Sequence, residues 1–119
     1  GAFHSPLMEP AAAGLDAAIG QVALRAPRVP VWANADAEPV TDAARARTCL
    51  VQQLTRPVRW TDIVARLAAA HPAALFLEVG TGNVLTGLVR RIAPDVRTAT
   101  CGTVADVERL LALLATNVH

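Results

Sequence analysis

The stretch Ala74-Leu75-Phe76-Leu77-Glu78-Val79, followed by Gly80-Thr81-Gly82-Asn83 and then by Val84 to Ile92, decides the fold. Its first six residues make an apolar run of strand length. Gly80 and Gly82 supply a tight turn, because glycine adopts positive φ without a steric cost. Val84 to Ile92 is a helix that Pro94 stops. Val96 to Cys101 is a second apolar strand, and Thr103 caps a last helix over Val104 to Ala115. Strand, helix, strand and helix follow in order, and the strands are continuous apolar runs rather than alternating ones. That pattern predicts an α/β fold, a parallel sheet with helices on its faces.

Toward the N-terminus the elements continue. Pro6 and Pro10 punctuate the start, with Ser5 at a helix N-cap position. From Leu7 to Leu24 the apolar residues Leu7, Met8, Ala11, Leu15, Ala18, Ile19 and Val22 recur at helical spacing, and Pro27 and Pro30 block continuation. Val29 to Ala33 reads as a short buried strand, and Asn34 to Pro39 as a turn. Thr41 and Asp42 cap a second helix that runs to about Leu54 and breaks at Arg56-Pro57. Thr61 caps a third through Ala70, closed by His71-Pro72. Three strands are too few for a doubly wound sheet, which suggests missing sequence. The chain also opens on Gly1, with no Met, straight into a dense motif. The beginning therefore reads as a cut, made by proteolysis or by design.

Composition narrows the function classes. Of 119 residues, 53% are hydrophobic and 18% charged, enough apolar material for a core and too much for disorder. The net charge is +1, and the eleven basic residues are all Arg, scattered rather than run together. Neither nucleic acid nor a membrane surface is an expected partner. No stretch reaches the roughly 18 continuous apolar residues of a membrane span. No basic region precedes an apolar one at the N-terminus, as a signal peptide would require. Cys49 and Cys101 lack metal-ligand spacing and read as two reduced, buried thiols, which suits a cytoplasmic protein.

Two places could carry chemistry. His4 lies just before a helix start, between Phe3 and Ser5-Pro6. A histidine in such a loop can be held in one orientation and serve as an acid or base. Alone it reads first as a surface or capping histidine. His71 and His119 read as a helix-end charge and a frayed tail. The three are too dispersed for a metal site. The second place is Leu75 to Asn83. Its E-x-G-x-G pattern resembles the first motif of nucleotide-cofactor methyltransferases, and distantly a dinucleotide loop. Yet Val84 stands where a third glycine belongs, and no acidic residue closes Val96 to Cys101 to meet a ribose. A structural turn is the preferred reading, because lone glycine-rich matches are weak signals. Trp32 and Trp60 read as packing residues, and Asp36, Glu38 and Asp42 as turn and cap residues. No G-x-S-x-G and no P-loop are present.

Four segments taken together resemble one family in order and spacing. Gly1-Ala2-Phe3-His4-Ser5-Pro6-Leu7-Met8 is similar to the catalytic-histidine motif of acyltransferases that load malonyl groups onto acyl carrier proteins: the malonyl-CoA:acyl-carrier-protein transacylases and the acyltransferase domains of polyketide synthases. Pro30 to Ala37 resembles their strand and N-x-D-A turn. Leu50-Val51-Gln52-Gln53-Leu54-Thr55-Arg56-Pro57-Val58-Arg59-Trp60 resembles their LxxQLxxPVxW segment, and Glu78 to Leu88 their EVGPGxVLTGL segment, with Thr81 in place of the usual Pro.

The resemblance implies a parallel-sheet, hydrolase-like acyltransferase core, of which residues 1–119 are the C-terminal portion. It implies transfer of a malonyl group from coenzyme A to the phosphopantetheine thiol of an acyl carrier protein, for fatty-acid or polyketide synthesis, through a seryl acyl-enzyme. His4 takes the place of the base, and the main-chain carbonyl at Gln53 that of its orienter. Phe3 goes with a narrow pocket and malonyl preference. No metal and no cofactor are implied. The nucleophile and the arginine that pairs with the malonyl carboxylate lie upstream in the family. This chain alone is therefore expected to be inactive without the N-terminal part. Two other functions stay open: a non-catalytic scaffolding relative, and a small nucleotide-cofactor enzyme built on Leu75 to Asn83.

Overall fold

A computed structural model describes residues 1–116, so His119 lies outside the described residues. The chain divides into two compact units, Gly1–Ile63 and Val64–His119.

The first unit opens with a single 3-10 turn at Pro6–Met8 and helix α1, Glu9–Gly20. Ser5 holds the expected N-cap position with extended backbone, but its hydroxyl donates to the Ala2 carbonyl at 2.7 Å rather than capping the turn. Gln21 closes α1 four residues short of the expected end, ahead of Pro27. Helix α2, Ala43–Gln53, packs on α1, and Asp16 pairs with Arg47 across them at 2.7 Å. The pair is exposed, so it adds little stability. Asp42 caps α2 as the sequence predicts, accepting from the Arg45 N–H at 2.8 Å.

Between these helices the structure corrects the sequence reading. Val29–Ala33 was expected to be a buried strand followed only by a turn. Instead β1, Val31–Ala33, pairs antiparallel with β2, Glu38–Val40, with Val31 opposite Val40 and Ala33 opposite Glu38. Val31 is 53% exposed. Asp36 organises the connecting turn. It accepts from the Glu38 N–H at 3.2 Å and pairs with Arg45 of α2. Ala37, fully buried, takes the left-handed conformation at φ 59°, with its N–H on the Ala33 carbonyl at 2.9 Å. Cys49 is buried beneath this turn. Burial, then the nearby Asp36 carboxylate, pushes its thiol pKa up, so the group stays protonated and inert. Cys101 is only half-buried, against the expectation of two buried thiols.

Helix α3, Trp60–Ala70, carries the chain from one unit into the next. It starts one residue before Thr61, which therefore lies inside the helix rather than capping it. In the second unit β3, Leu75–Val79, pairs in parallel with β4, Arg97–Cys101, from Leu75 opposite Arg97 to Val79 opposite Cys101. The crossover is α4, Val84–Ile92, which packs on both strands; α5, Val104–Thr116, packs on β4. This is the predicted parallel strand–helix–strand unit. Ala93 leaves the helical region as a residue before proline must. Among the described residues of this unit, Val89 and Thr86 of α4, Val64 of α3 and Leu110 of α5 are buried. Thr103 and Asp106 cap α5 reciprocally: Thr103 and Gly102 N–H groups donate to the Asp106 carboxylate at 3.0 Å, and the Asp106 N–H donates to the Thr103 hydroxyl at 3.2 Å.

Candidate active site

His4 is fastened to the C-terminal end of α2 at two points. Its main-chain N–H donates to the Leu54 carbonyl at 3.0 Å, and its ring Nδ1 lies 2.9 Å from the Gln53 carbonyl. The last carbonyls of a helix have no partner within it. Here a loop 49 residues away in sequence supplies two donors to them. The backbone bends sharply to do so, with His4 in the left-handed region at φ 64°. Histidine is among the residues that tolerate that region, at a modest cost. The Ser5 hydroxyl on the Ala2 carbonyl closes the same turn from its other side.

The chemistry follows from the contact. A carbonyl oxygen can only accept, so Nδ1 donates to it, and in the neutral ring the lone pair sits on Nε2. The ring is exposed, leaving Nε2 open. That nitrogen can accept a proton from a nucleophile. The imidazolium so formed faces the negative end of the α2 dipole, which favours a cation there. The His4–Gln53 pair thus has the geometry of a general base and its orienter.

Phe3 lies beside His4 in sequence and is 59% exposed, its ring stacked near Gly1. The structure brings His4 and Gln53 together; it places Phe3 next to His4 in the chain, with its ring exposed. Gln53 also lines a largely apolar cavity of about 380 Å³ in the same unit, whose walls include Val31, Trp32, Val40, Ala46 and Leu50. Sequence reasoning missed the Leu54 carbonyl and the left-handed backbone of His4. Neither leaves a mark in residue type, because any residue offers a carbonyl.

The glycine-rich segment is built differently from a cofactor loop. Gly80 and Gly82 have φ of 131° and 99°, values that side chains rarely adopt. A Cβ on Gly102 would stand 2.7 Å from the Gly80 carbonyl, so the two turns touch through bare backbone. Glu78 reaches over from β3 and accepts from the Leu85 N–H at 3.1 Å and the Thr86 N–H at 2.7 Å. The positive end of α4, where a phosphate would sit, already holds the protein's own carboxylate. A cofactor phosphate would have to displace it. The Thr86 hydroxyl, its N–H and the Leu85 N–H hold Glu78 below the usual carboxylate range, and partial burial opposes them. That hydroxyl is buried without a hydrogen bond of good geometry, so it acts on the carboxylate by proximity. Among the described residues no group of His, Cys, Asp and Glu could hold a metal.

No protein-family model matches the chain. It is 47% identical over 96 residues to the malonyl CoA-acyl carrier protein transacylase of Salmonella typhimurium, a match covering 81% of this chain and 30% of that one. Among solved structures it superposes on the acyl-carrier-protein-S-malonyltransferase of Bartonella henselae with a TM-score of 0.86 and 41% identity, covering 95% of this chain and 36% of that one. A malonyl-transacylase solved in complex with a type II polyketide synthase acyl carrier protein matches with a TM-score of 0.83 and 35% identity, covering 97% and 36%. The chain spans about a third of the length of the relatives it matches.

Proposed function

We propose that this chain, a relative of the malonyl-CoA:acyl-carrier-protein transacylases over most of its length, is the C-terminal portion of such an enzyme and carries its catalytic base. The observation that supports this is the 2.9 Å contact from His4 Nδ1 to the Gln53 carbonyl, which leaves Nε2 as the basic nitrogen.

The reaction would run in two halves. Nε2 takes the proton of a serine hydroxyl, supplied by the N-terminal portion, as that oxygen attacks the malonyl thioester of malonyl-CoA. The same proton then goes to the departing coenzyme A thiolate, leaving malonyl on the serine. In the second half Nε2 takes the proton of the phosphopantetheine thiol as its sulfur attacks the seryl ester, and returns it to the serine oxygen. A carbonyl orienter suffices because the ring is never asked to lose its Nδ1 proton. Phe3 would narrow the acyl pocket once the remaining chain encloses it. The solved complex of a related transacylase with an acyl carrier protein supports that class of partner. The cytoplasm is the expected compartment. In support, both cysteines are free, and no described helix is long and apolar enough to cross a membrane.

The test is malonyl transfer by the full-length protein to an acyl carrier protein. His4→Ala should lower kcat roughly a hundred- to ten-thousandfold, the usual share of a positioned acid–base group. An unchanged rate would show that His4 is not the base.

A further inference from the structure

We propose that the side-chain amide of Gln53 is a positioning group for His4, presenting its oxygen to the same ring nitrogen that its main-chain carbonyl already holds. The inference rests on the reading of His4 as a base.

Three distances carry it. The Gln53 carbonyl lies 2.9 Å from Nδ1. The Gln53 side-chain amide nitrogen lies 3.1 Å from the same Nδ1 and 3.4 Å from the Arg56 carbonyl. The first contact requires a proton on Nδ1, since a carbonyl has none to give. A protonated Nδ1 has no lone pair left for an amide N–H to approach, so two hydrogens would face each other at 3.1 Å. The two contacts are incompatible as drawn. A half-turn about the last side-chain bond resolves this. It exchanges Oε1 and Nε2 with almost no change of shape, so the hydrogen-bond partners decide which atom faces the ring. Oε1 then occupies the place beside Nδ1 and becomes a second acceptor for its proton. The turn replaces the 3.4 Å contact to Arg56, at the long limit of hydrogen bonding, by an approach of two acceptor oxygens at that distance, a weak repulsion that the shorter bond to Nδ1 outweighs.

The consequence is a two-pronged grip from one residue. The main-chain carbonyl is fixed by the end of α2, and the half-buried side chain approaches from a different direction. Each acceptor favours the Nδ1–H tautomer, and the two together also resist rotation of the ring. The opposite amide orientation is the inactive alternative. With the amide nitrogen donating to Nδ1, the ring proton must sit on Nε2, and the nitrogen that should receive the nucleophile's proton has no lone pair. Amide orientation therefore adds to, or works against, the main-chain carbonyl in keeping the ring in the form that can act as a base.

The experiment uses the full-length protein, labelled with 15N at histidine. Nitrogen chemical shifts of the His4 ring report its tautomer, and malonyl-transfer kinetics are measured alongside. Gln53→Met keeps the length and the main-chain carbonyl but removes the amide. It should lower kcat roughly three- to tenfold, about one hydrogen bond's net worth, with KM little changed. The His4 signal should shift toward the Nε2–H form. Gln53→Glu offers acceptors and no donor, and should keep the Nδ1–H signature. An unchanged tautomer in Gln53→Met overturns the proposal, even if kcat falls, because the amide would then act only through packing. Loss of the Nδ1–H signature in Gln53→Glu overturns it too. His4→Ala separates the two levels. If that variant still transfers malonyl at the normal rate, the reading beneath fails. If it is inactive while Gln53→Met changes neither rate nor tautomer, only the role of the amide fails.

Discussion

Glu78 holds the first turn of α4 from outside that helix, with two backbone N–H groups on one carboxylate. This carboxylate works as a helix cap supplied by a neighbouring strand. Its folded-state pKa is depressed, so the stabilisation it gives is complete above the ordinary glutamate value of 4.5 and is lost as pH falls through the lower folded value. Glu78→Gln keeps the shape and one acceptor oxygen but removes the charge from the positive helix end. Urea unfolding of the full-length protein at a series of pH values should show a lower midpoint for the variant at pH 7. The gap should close as pH falls through the depressed folded value, where the native carboxyl is protonated as well. A gap that persists unchanged at low pH would mean that charge is not what Glu78 contributes. The sequence shows a glutamate at the end of a strand before two glycines, and the pattern was read as a cofactor-loop signature or a structural turn. What it could not show is where the carboxylate goes. That depends on Gly80 and Gly82 taking positive φ, which folds the start of α4 back within reach. His4 follows the same logic: its type and its motif could be read directly, but its partners are main-chain atoms carried on another element.

At the scale of elements, local chemistry accounts for the helices better than for the hairpin. Helix α2 begins where Asp42 can cap it and β4 gives way to α5 where Thr103 and Asp106 cap each other, signals written in residues three apart. Asp42→Ala should therefore cost about 1 kcal/mol, read as a lower denaturation midpoint with an unchanged slope against denaturant. Because α2 ends at Gln53, fraying that helix should also loosen the carbonyls that hold His4, and the malonyl transfer proposed for the full-length protein should lose activity on warming earlier in the variant than in the parent. Full thermal tolerance of Asp42→Ala would show that the end of α2 is held by other contacts. The hairpin was missed for a stated physical reason. Strand β2 is three residues long and holds Glu38 and Pro39, types that depress strand propensity, and its pairing with β1 is set by a buried turn around Asp36 and Ala37. Asp36 reaches forward nine residues to Arg45 of α2, so the turn is stabilised by an element that sequence windows do not include. By contrast β3 and β4 read correctly because their apolar runs, with a helix between them, admit few other arrangements.

At the scale of the molecule, the second unit leaves apolar surface bare. Along β3 the residues alternate between two faces. Glu78 points toward α4, while Leu77 and Val79 on the other face are 42% and 77% exposed. Val104, Val107 and Leu111 of α5, spaced along one side of that helix, are exposed as well. Parallel sheets are stable when both faces are covered, and two strands make a marginal sheet. The relatives this chain matches are about three times as long, so the proposed N-terminal portion has ample chain to cover the bare face of β3. That makes a quantitative distinction possible at Leu77. If the face stays open in the complete protein, Leu77→Ala behaves as a surface change, within about 0.5 kcal/mol of the parent. If the remaining chain packs over it, the substitution leaves a cavity and costs roughly 2–5 kcal/mol. Chemical denaturation of full-length Leu77→Ala should give the larger value. The smaller one would mean that β3 keeps an open face in the complete protein, and that the proposed N-terminal portion packs elsewhere.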